Sequence, residues 1–250
     1  MLAPAPSSTL VWTRRGVQLI VGLFAYGFGI ALMLRAGIGV APWDVLGQGI
    51  ALQTGLPFGL VVNLVGALVL LLWIPIRQKP GIGTVANVLL IGPSAQVGLW
   101  LIPQQTHPAL QVLVLAAGLV MIALATGLYV GARLGPGPRD GLMTGLHART
   151  GRPIWVVRTG IEVTVLAVGF LLGGQVGIGT LAFALLIGPM VNVTLPLLRV
   201  PGGATLSAAT LSPEALTAPP MIDHSLTLPD RLERERAEQR WTLFSPRHDY

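Results

Sequence analysis

Two tripeptides hold the side chains best suited to chemistry in this chain, Pro42-Trp43-Asp44 and Pro138-Arg139-Asp140. Proline suits the first position of a helix, because its missing N–H would have no partner there in any case. An aspartate two positions later lies in the first turn, where its carboxylate can accept backbone N–H groups and complement the helix dipole. Two interpretations stay open. The aspartates cap two short interfacial helices, or the helix starts meet near the middle of a membrane and line a permeation path.

Arg158 and Glu162 form a second candidate group within an apolar stretch. Residues four apart lie on one face of a helix. Ionisable side chains at depth in a membrane are costly, so they usually pair and face a cavity or the bundle interior. One interpretation is a structural ion pair. The other is that Glu162 is a proton or cation site whose charge Arg158 tunes, so that Glu162→Gln should abolish transport while the protein still inserts.

Other kinds of site have no support in the sequence. The chain has no cysteine, and its four histidines, His107, His147, His224 and His248, show no metal-ligand spacing. There is no Walker loop and no dinucleotide-binding fingerprint. We therefore expect no metal, no cofactor and no enzymatic activity, and no use of ATP by this chain alone.

The composition is that of a membrane protein. Hydrophobic residues make up 52% of the 250-residue chain and charged residues only 10%, against about 25% charged residues in soluble domains. Crossing a bilayer core of about 30 Å takes about 20 apolar residues. Six stretches are long enough: 17–35, 57–76, 83–102, 109–131, 153–172 and 178–198. The sequence predicts an all-α membrane protein with six transmembrane helices in a lipid bilayer.

The distribution of basic residues predicts the topology. Cytoplasmic loops of membrane proteins carry an excess of Lys and Arg. With the N-terminus inside, the outer segments carry only Arg35. The cytoplasmic segments carry Arg14, Arg15, Arg77, Lys79, Arg133, Arg139, Arg149, Arg152 and Arg199. Both termini are therefore expected to be cytoplasmic. Because the basic excess lies between hydrophobic spans, the sequence pI near 11.0 does not indicate a nucleic-acid partner.

The chain also aligns with itself at an offset of 96 residues, without a gap. The matching segments are 39–44 with 135–140, 54–57 with 150–153, 81–84 with 177–180, and 90–93 with 186–189. Chance does not keep so many glycines and prolines in register, so the pattern indicates a duplication. Each copy holds three spans and a half-helix, 42–53 or 138–149, which is too short to cross. An odd number of crossings turns the second copy upside down, and inverted repeats are typical of transporters.

Within each copy, two motifs indicate structural roles. The Gly-Ile-Gly-Thr segments contribute Gly81, Gly83 and Thr84 in the first copy and Gly177, Gly179 and Thr180 in the second. Their glycines suit tight turns or close helix contacts, and their threonines are predicted to be N-caps. Pro93 and Pro189 are predicted to kink the helices that contain them. Asn63, Asn87, Gln96 and Asn192 are further polar candidates, although such residues more often bond helices to each other.

Four segments follow from these patterns. Residues 1–16 form a cytoplasmic N-terminus, 17–104 the first repeat and 109–200 the second repeat. Residues 201–250 are expected to form a cytoplasmic tail that is largely disordered, because the segment is rich in Ser, Thr, Ala and Pro before a run of mixed charges. The tail could bind a protein partner.

With these motifs, the chain resembles the bacterial YczE/YyaS/YitT-type membrane proteins, and most of all the YczE branch. The resemblance is carried by Gly39–Leu46, Pro80–Thr84 with Asn87, Gly135–Met143, Arg149–Gly151, Arg158 with Glu162, and Leu172–Gly174 with Gly177–Thr180. It implies a multi-pass protein of the bacterial inner (plasma) membrane, without supplying a substrate.

Two functions are consistent with this sequence. One is a secondary transporter or channel-like protein for a small solute, with five candidate pathway residues: Asp44, Asp140, Arg139, Arg158 and Glu162. The other is a non-transporting accessory or regulatory membrane protein that acts through a partner. Deleting 201–250 should discriminate between them, because only the second function depends on a partner bound to the tail. The sequence does not identify the solute, the coupling ion, the direction of transport or the oligomeric state.

Overall fold

The computed structural model describes residues 8–200, and every regular element in this part of the chain is an α-helix. The helices are α1 (Ser8–Ala36), α2 (Pro42–Thr54), α3 (Phe58–Ile76), α4 (Ile82–Leu101), α5 (Pro108–Gly131), α6 (Pro138–Thr150), α7 (Ile154–Leu171) and α8 (Ile178–Leu198). Residues 1–7 and 201–250 lie outside the described residues, and so do the predictions made for them, including a disordered tail that binds a partner.

Six helices are long and apolar enough to cross a membrane: α1, α3, α4, α5, α7 and α8. Their bounds follow the predicted spans to within about a residue, except that α1 begins at Ser8 rather than at residue 17. The prediction of an all-α membrane protein with six spans is therefore confirmed for the described residues. The helices α2 and α6 have 13 residues each. Such helices are about 20 Å long, which is too short to cross.

The backbone repeats itself at the spacing of 96 residues that the sequence shows. The short helices α2 and α6 begin and end at matching positions, and α4 and α8 begin at matching positions. The described residues with positive φ pair at the same spacing: Gly37 with Arg133, Gly39 with Gly135, Gly55 with Gly151, and Arg77 with Gly173. Positive φ is uncommon outside glycine, so this agreement supports the duplication.

Close contacts between glycines and neighbouring helices hold the bundle together. The central pair is α1 and α5, where a Cβ on Gly22 would lie 2.8 Å from the backbone nitrogen of Tyr129. On another side of α1, a Cβ on Gly27 would lie 2.6 Å from the carbonyl oxygen of Ile91 in α4. Small residues let membrane helices approach this closely, and dispersion then supplies much of their attraction. The core around these contacts is apolar, with Leu23 and Ile30 fully buried.

Each Gly-Ile-Gly-Thr segment holds the chain that leads into the short helix of the other repeat. The Gly83 N–H donates to the Leu134 carbonyl over 2.8 Å, just before α6. At the matching place, the Gly179 N–H donates to the Ile38 carbonyl over 2.8 Å, just before α2. A Cβ on Gly81 would lie only 2.5 Å from the Leu134 oxygen. The glycines are therefore needed for close approach of two backbones, as predicted.

The prediction that Thr84 and Thr180 are N-caps was wrong. The N-cap residues of α4 and α8 are Gly81 and Gly177, and each threonine lies three residues further on. The Thr84 hydroxyl accepts the Gly81 N–H over 3.1 Å and donates to the Pro136 carbonyl over 2.7 Å. At the start of α4, the loop before α6 lies so close to the backbone that the N-cap position is occupied by a glycine, Gly81, which has no side chain.

The prolines predicted to kink α4 and α8 lie inside helices that continue past them. Pro93 cannot bond the Leu89 carbonyl. That carbonyl instead accepts a long hydrogen bond, 3.5 Å, from Asn63 Nδ2 on α3. The kinks themselves stay a prediction.

The two repeats differ in how their last two helices pack. The backbones of α3 and α4 meet at Gly59 and Gly92. In the second repeat Trp155 stands in place of Gly59, and a Cβ on Gly188 would have no neighbour within 4 Å. The same close contact is not made in the second repeat, so α7 and α8 lie apart where α3 and α4 touch.

Candidate functional site

The starts of the two short helices meet. Arg139 Nη2, on α6, lies 3.6 Å from Asp44 Oδ1, on α2. The Arg139 guanidinium also lies over the Trp43 ring, with Cζ 5.1 Å from the ring centroid, a distance that permits a cation–π interaction. Two of the five predicted pathway residues, Asp44 and Arg139, thus come together although they lie far apart in the sequence. A permeation path through the helix starts would bring them together in this way, and the path itself stays a prediction.

The ion pair between the short helices is loosely made. Asp44 is 2% exposed and the Arg139 side chain 27% exposed, so both charges are largely withdrawn from solvent. Their separation of 3.6 Å is longer than a hydrogen bond, and Asp44 Oδ1 has no hydrogen-bond partner. Removing Arg139 would leave a buried carboxylate without compensation, which is strongly unfavourable. The attraction between Arg139 and Asp44 therefore partly offsets the burial of the carboxylate and joins the two repeats.

A cavity of about 70 Å³ lies beside this ion pair. Asp140 is exposed and lines the cavity, together with Tyr26 of α1, Asn87 of α4 and Tyr129 of α5. The Tyr129 hydroxyl donates to Asp140 Oδ2 over 3.2 Å. Among residues 8–200, no Lys or Arg lies within 4 Å of the Asp140 carboxylate. The cavity therefore presents a carboxylate that has a hydrogen bond but no close ionic partner.

The start of α6 is positioned by an aromatic residue of α3. The Trp73 Nε1–H donates to the Pro138 carbonyl over 3.0 Å, and the Trp73 ring packs directly against Gly141, where a Cβ would clash with it. Trp43, Val69 and Leu142 complete a small buried cluster around this ring. Because Trp73 is 1% exposed, it gives the start of α6 a buried surface to pack against on both sides of Arg139 and Asp140.

The start of α2 is positioned by the end of α7. The backbone of Leu46 lies so close to Gly169 that a Cβ there would clash. Further along α2, the Gln48 side chain accepts the Gln175 N–H over 2.7 Å. Each short helix is thus held by a spanning helix of the other repeat, α6 by α3 and α2 by α7.

Arg158 and Glu162 are placed apart from this site. They pair with each other on α7, with Nε and Oε1 3.0 Å apart, and their side chains are 49% and 28% exposed. Neither lines the cavity, although the residues at the matching positions of the first repeat, Val62 and Gly66, do line it. The five predicted pathway residues therefore divide into a central trio, Asp44, Arg139 and Asp140, and a peripheral pair.

The sequence analysis missed Tyr26 and Tyr129. Their rings meet edge to face, with centroids 5.9 Å apart and planes at 84°. A signal was present, because the chain has only three tyrosines and two of them lie inside predicted spans. A tyrosine hydroxyl within a membrane needs a hydrogen-bond partner, and for Tyr129 that partner is Asp140. In residues 8–200, no group of three or more His, Cys, Asp or Glu side chains converges.

Comparison with known proteins gives relatives without an assigned activity. Residues 13–196 match a family described as "Family of unknown function (DUF6198)". An uncharacterized protein of Haemophilus influenzae is 36% identical over 199 residues, which cover 78% of this chain and 91% of that protein. The uncharacterized membrane protein YczE of Bacillus subtilis is 33% identical over 177 residues, covering 70% and 82%. The uncharacterized protein YyaS of the same organism is 27% identical over 185 residues, covering 72% and 91%. No solved structure matches significantly.

Proposed function

The chain belongs to the DUF6198 family, and we propose that it is a secondary transporter or channel-like protein for a small solute in the bacterial plasma membrane. The resemblance to YczE and YyaS is confirmed by the relatives, and the six apolar helices make this a multi-pass membrane protein. One observation carries the proposal. Two helix starts, 96 residues apart, meet beside a cavity that exposes the carboxylate of Asp140.

The proposed topology is an inverted repeat with both termini in the cytoplasm. In this arrangement α2 returns to the outer side and α6 to the inner side, and their starts face each other near the middle of the membrane. Irregular backbone at that depth is tolerated only where protein or water lines it. The loops before α2 and α6 meet this condition, since α8 and α4 bond them through Gly179 and Gly83.

In the proposed mechanism, the ion pair between Arg139 and Asp44 closes the path between the repeats. Asp140 contacts the solute in the cavity, and a movement of one repeat against the other separates Arg139 from Asp44 and opens the Asp44 carboxylate to water, which then compensates its charge. Alternating access in transporters of this kind is largely such a rigid-body movement around a fixed site. The 3.6 Å separation favours the mechanism, because no tight hydrogen bond has to break.

The test is uptake into vesicles that contain the purified chain. The probes are radiolabelled methylammonium, urea and glycerol, with empty vesicles as the baseline. We expect uptake of at least one probe, and Asp140→Asn should abolish it because the exposed carboxylate is lost without a change in size. The matched control is Arg149→Gln, an exposed charge on the same helix, α6, away from the cavity. Baseline uptake of all three probes by folded protein would contradict the proposal.

The alternative is an accessory or regulatory membrane protein that acts through a partner. Deleting 201–250 separates the two functions. A transporter keeps its uptake in vesicles without the tail, whereas a protein that acts through the tail loses its cellular function and shows no uptake in either form.

A further inference from the structure

We propose that the cavity beside Asp140 binds a small primary ammonium cation. The inference names the solute class for the site described above, and its link with transport rests on the proposed function. Binding itself can be measured without any transport, so the two proposals can fail separately.

The charges around the cavity favour a cation. Arg139 and Asp44 compensate each other, with Nη2 and Oδ1 3.6 Å apart. The Arg139 guanidinium also lies over the Trp43 ring. The carboxylate of Asp140, which lines the cavity together with Arg139, accepts the neutral hydroxyl of Tyr129 and has no Lys or Arg within 4 Å among residues 8–200. A carboxylate enclosed by apolar helices is stabilised by a positive partner, and a ligand can supply that partner.

The volume of the cavity limits the size of the ligand. An ordered water needs about 10–15 Å³ of such volume, so a cavity of about 70 Å³ holds on the order of five water-sized groups. A ligand of about five non-hydrogen atoms or fewer therefore fits. Methylammonium and propylammonium are within this limit, and hexylammonium exceeds it.

The walls suit an N–H donor better than a metal ion. Asp140 and Asn87 offer oxygen acceptors, and Tyr26 offers an aromatic ring. The remaining surface includes the apolar side chains of Val62, Val69 and Ile91. Hard metal cations need about six or more oxygen ligands, which such walls do not provide. An ammonium group is satisfied by charge-assisted hydrogen bonds to one carboxylate and by contact with ring faces.

The experiment is a titration of the purified full-length chain in detergent, with the midpoint of thermal unfolding as the readout. Methylammonium chloride is compared with sodium chloride at equal ionic strength. We expect methylammonium and propylammonium to raise the midpoint in a saturable way, and hexylammonium and sodium not to do so. Arg149→Gln should respond as the parent protein does.

Two variants locate the binding. Asp140→Asn should weaken methylammonium binding by at least about tenfold, since one charge-assisted contact is lost. If that variant does not fold, Asn87→Leu serves instead. It removes one acceptor at nearly constant size and should weaken binding severalfold. Equal responses to methylammonium and sodium, or equal affinity in parent and variants, would overturn the inference.

The outcomes also separate this inference from the proposed function. Uptake of urea or glycerol without methylammonium binding would contradict the ammonium site and still support the proposed transport function. Methylammonium binding without uptake of any probe would support the site and contradict transport.

Discussion

The closest helix contact in the first repeat predicts a difference between two matching glycines. Gly92 and Gly188 occupy the same place in the Leu-Ile-Gly-Pro motif, 96 residues apart. A Cβ on Gly92 would clash with the carbonyl oxygen of Gly59 and with Asn63 Oδ1. A Cβ on Gly188 would meet nothing within 4 Å. We therefore expect Gly92→Ala to destabilise the protein and Gly188→Ala to be tolerated.

The size of the difference follows from the neighbours. The carbonyl of Gly59 is backbone and cannot rotate away, so α3 and α4 must separate, and overpacking of this kind costs about 1–3 kcal/mol. Moving Asn63 aside would also weaken its bond to the Leu89 carbonyl. At Gly188, alanine meets no clash and gains helix propensity of about 1 kcal/mol. The two variants should therefore differ by about 2–4 kcal/mol in the free energy of unfolding.

The measurement is unfolding of both variants and the parent in the same detergent, followed by helical circular dichroism. In proteins of 150–250 residues, 1 kcal/mol shifts the midpoint by about 2–4 °C, so a difference of roughly 5–15 °C is expected. Equal midpoints for the two variants would refute the reasoning, because the clash exists only if α3 and α4 touch and α7 and α8 do not.

Two further predictions concern the topology and the peripheral ion pair. Because the chain has no cysteine, Leu56→Cys and Arg152→Cys report on two exposed loops at matching positions. A membrane-impermeant maleimide added to intact cells should label the first and not the second, and labelling of both would contradict the inverted repeat. Glu162→Gln should stop uptake while insertion stays normal, since charges within spans are usually kept for function. Unchanged uptake would mean that Glu162 and Arg158 form a structural ion pair without a role in transport.

The elements of the fold could be predicted from residue types and periodicity. Long apolar runs identify spanning helices because only a helix satisfies its own backbone in lipid. The short helices begin where proline suits a helix start, at Pro42 and Pro138. The N-cap assignment of Thr84 was wrong because a contact between distant parts of the chain decides the start of α4. The loop before α6 accepts hydrogen bonds from the start of α4. A local sequence pattern cannot predict a contact with residues about 50 positions away.

The candidate site, like the fold, could be predicted from the sequence only in part. The sequence by itself determined which side chains are costly to bury, and therefore that Asp44, Arg139 and Asp140 need an explanation. Only the tertiary structure decided that Arg139 of one repeat lies beside Asp44 of the other, with Asp140 left facing a cavity. Only the tertiary structure, too, shows that α7 and α8 lie apart while α3 and α4 touch. The physical reason is that helix periodicity depends on local spacing, whereas contacts between repeats depend on which backbones can approach, and that is set by pairs of residues far apart in the chain.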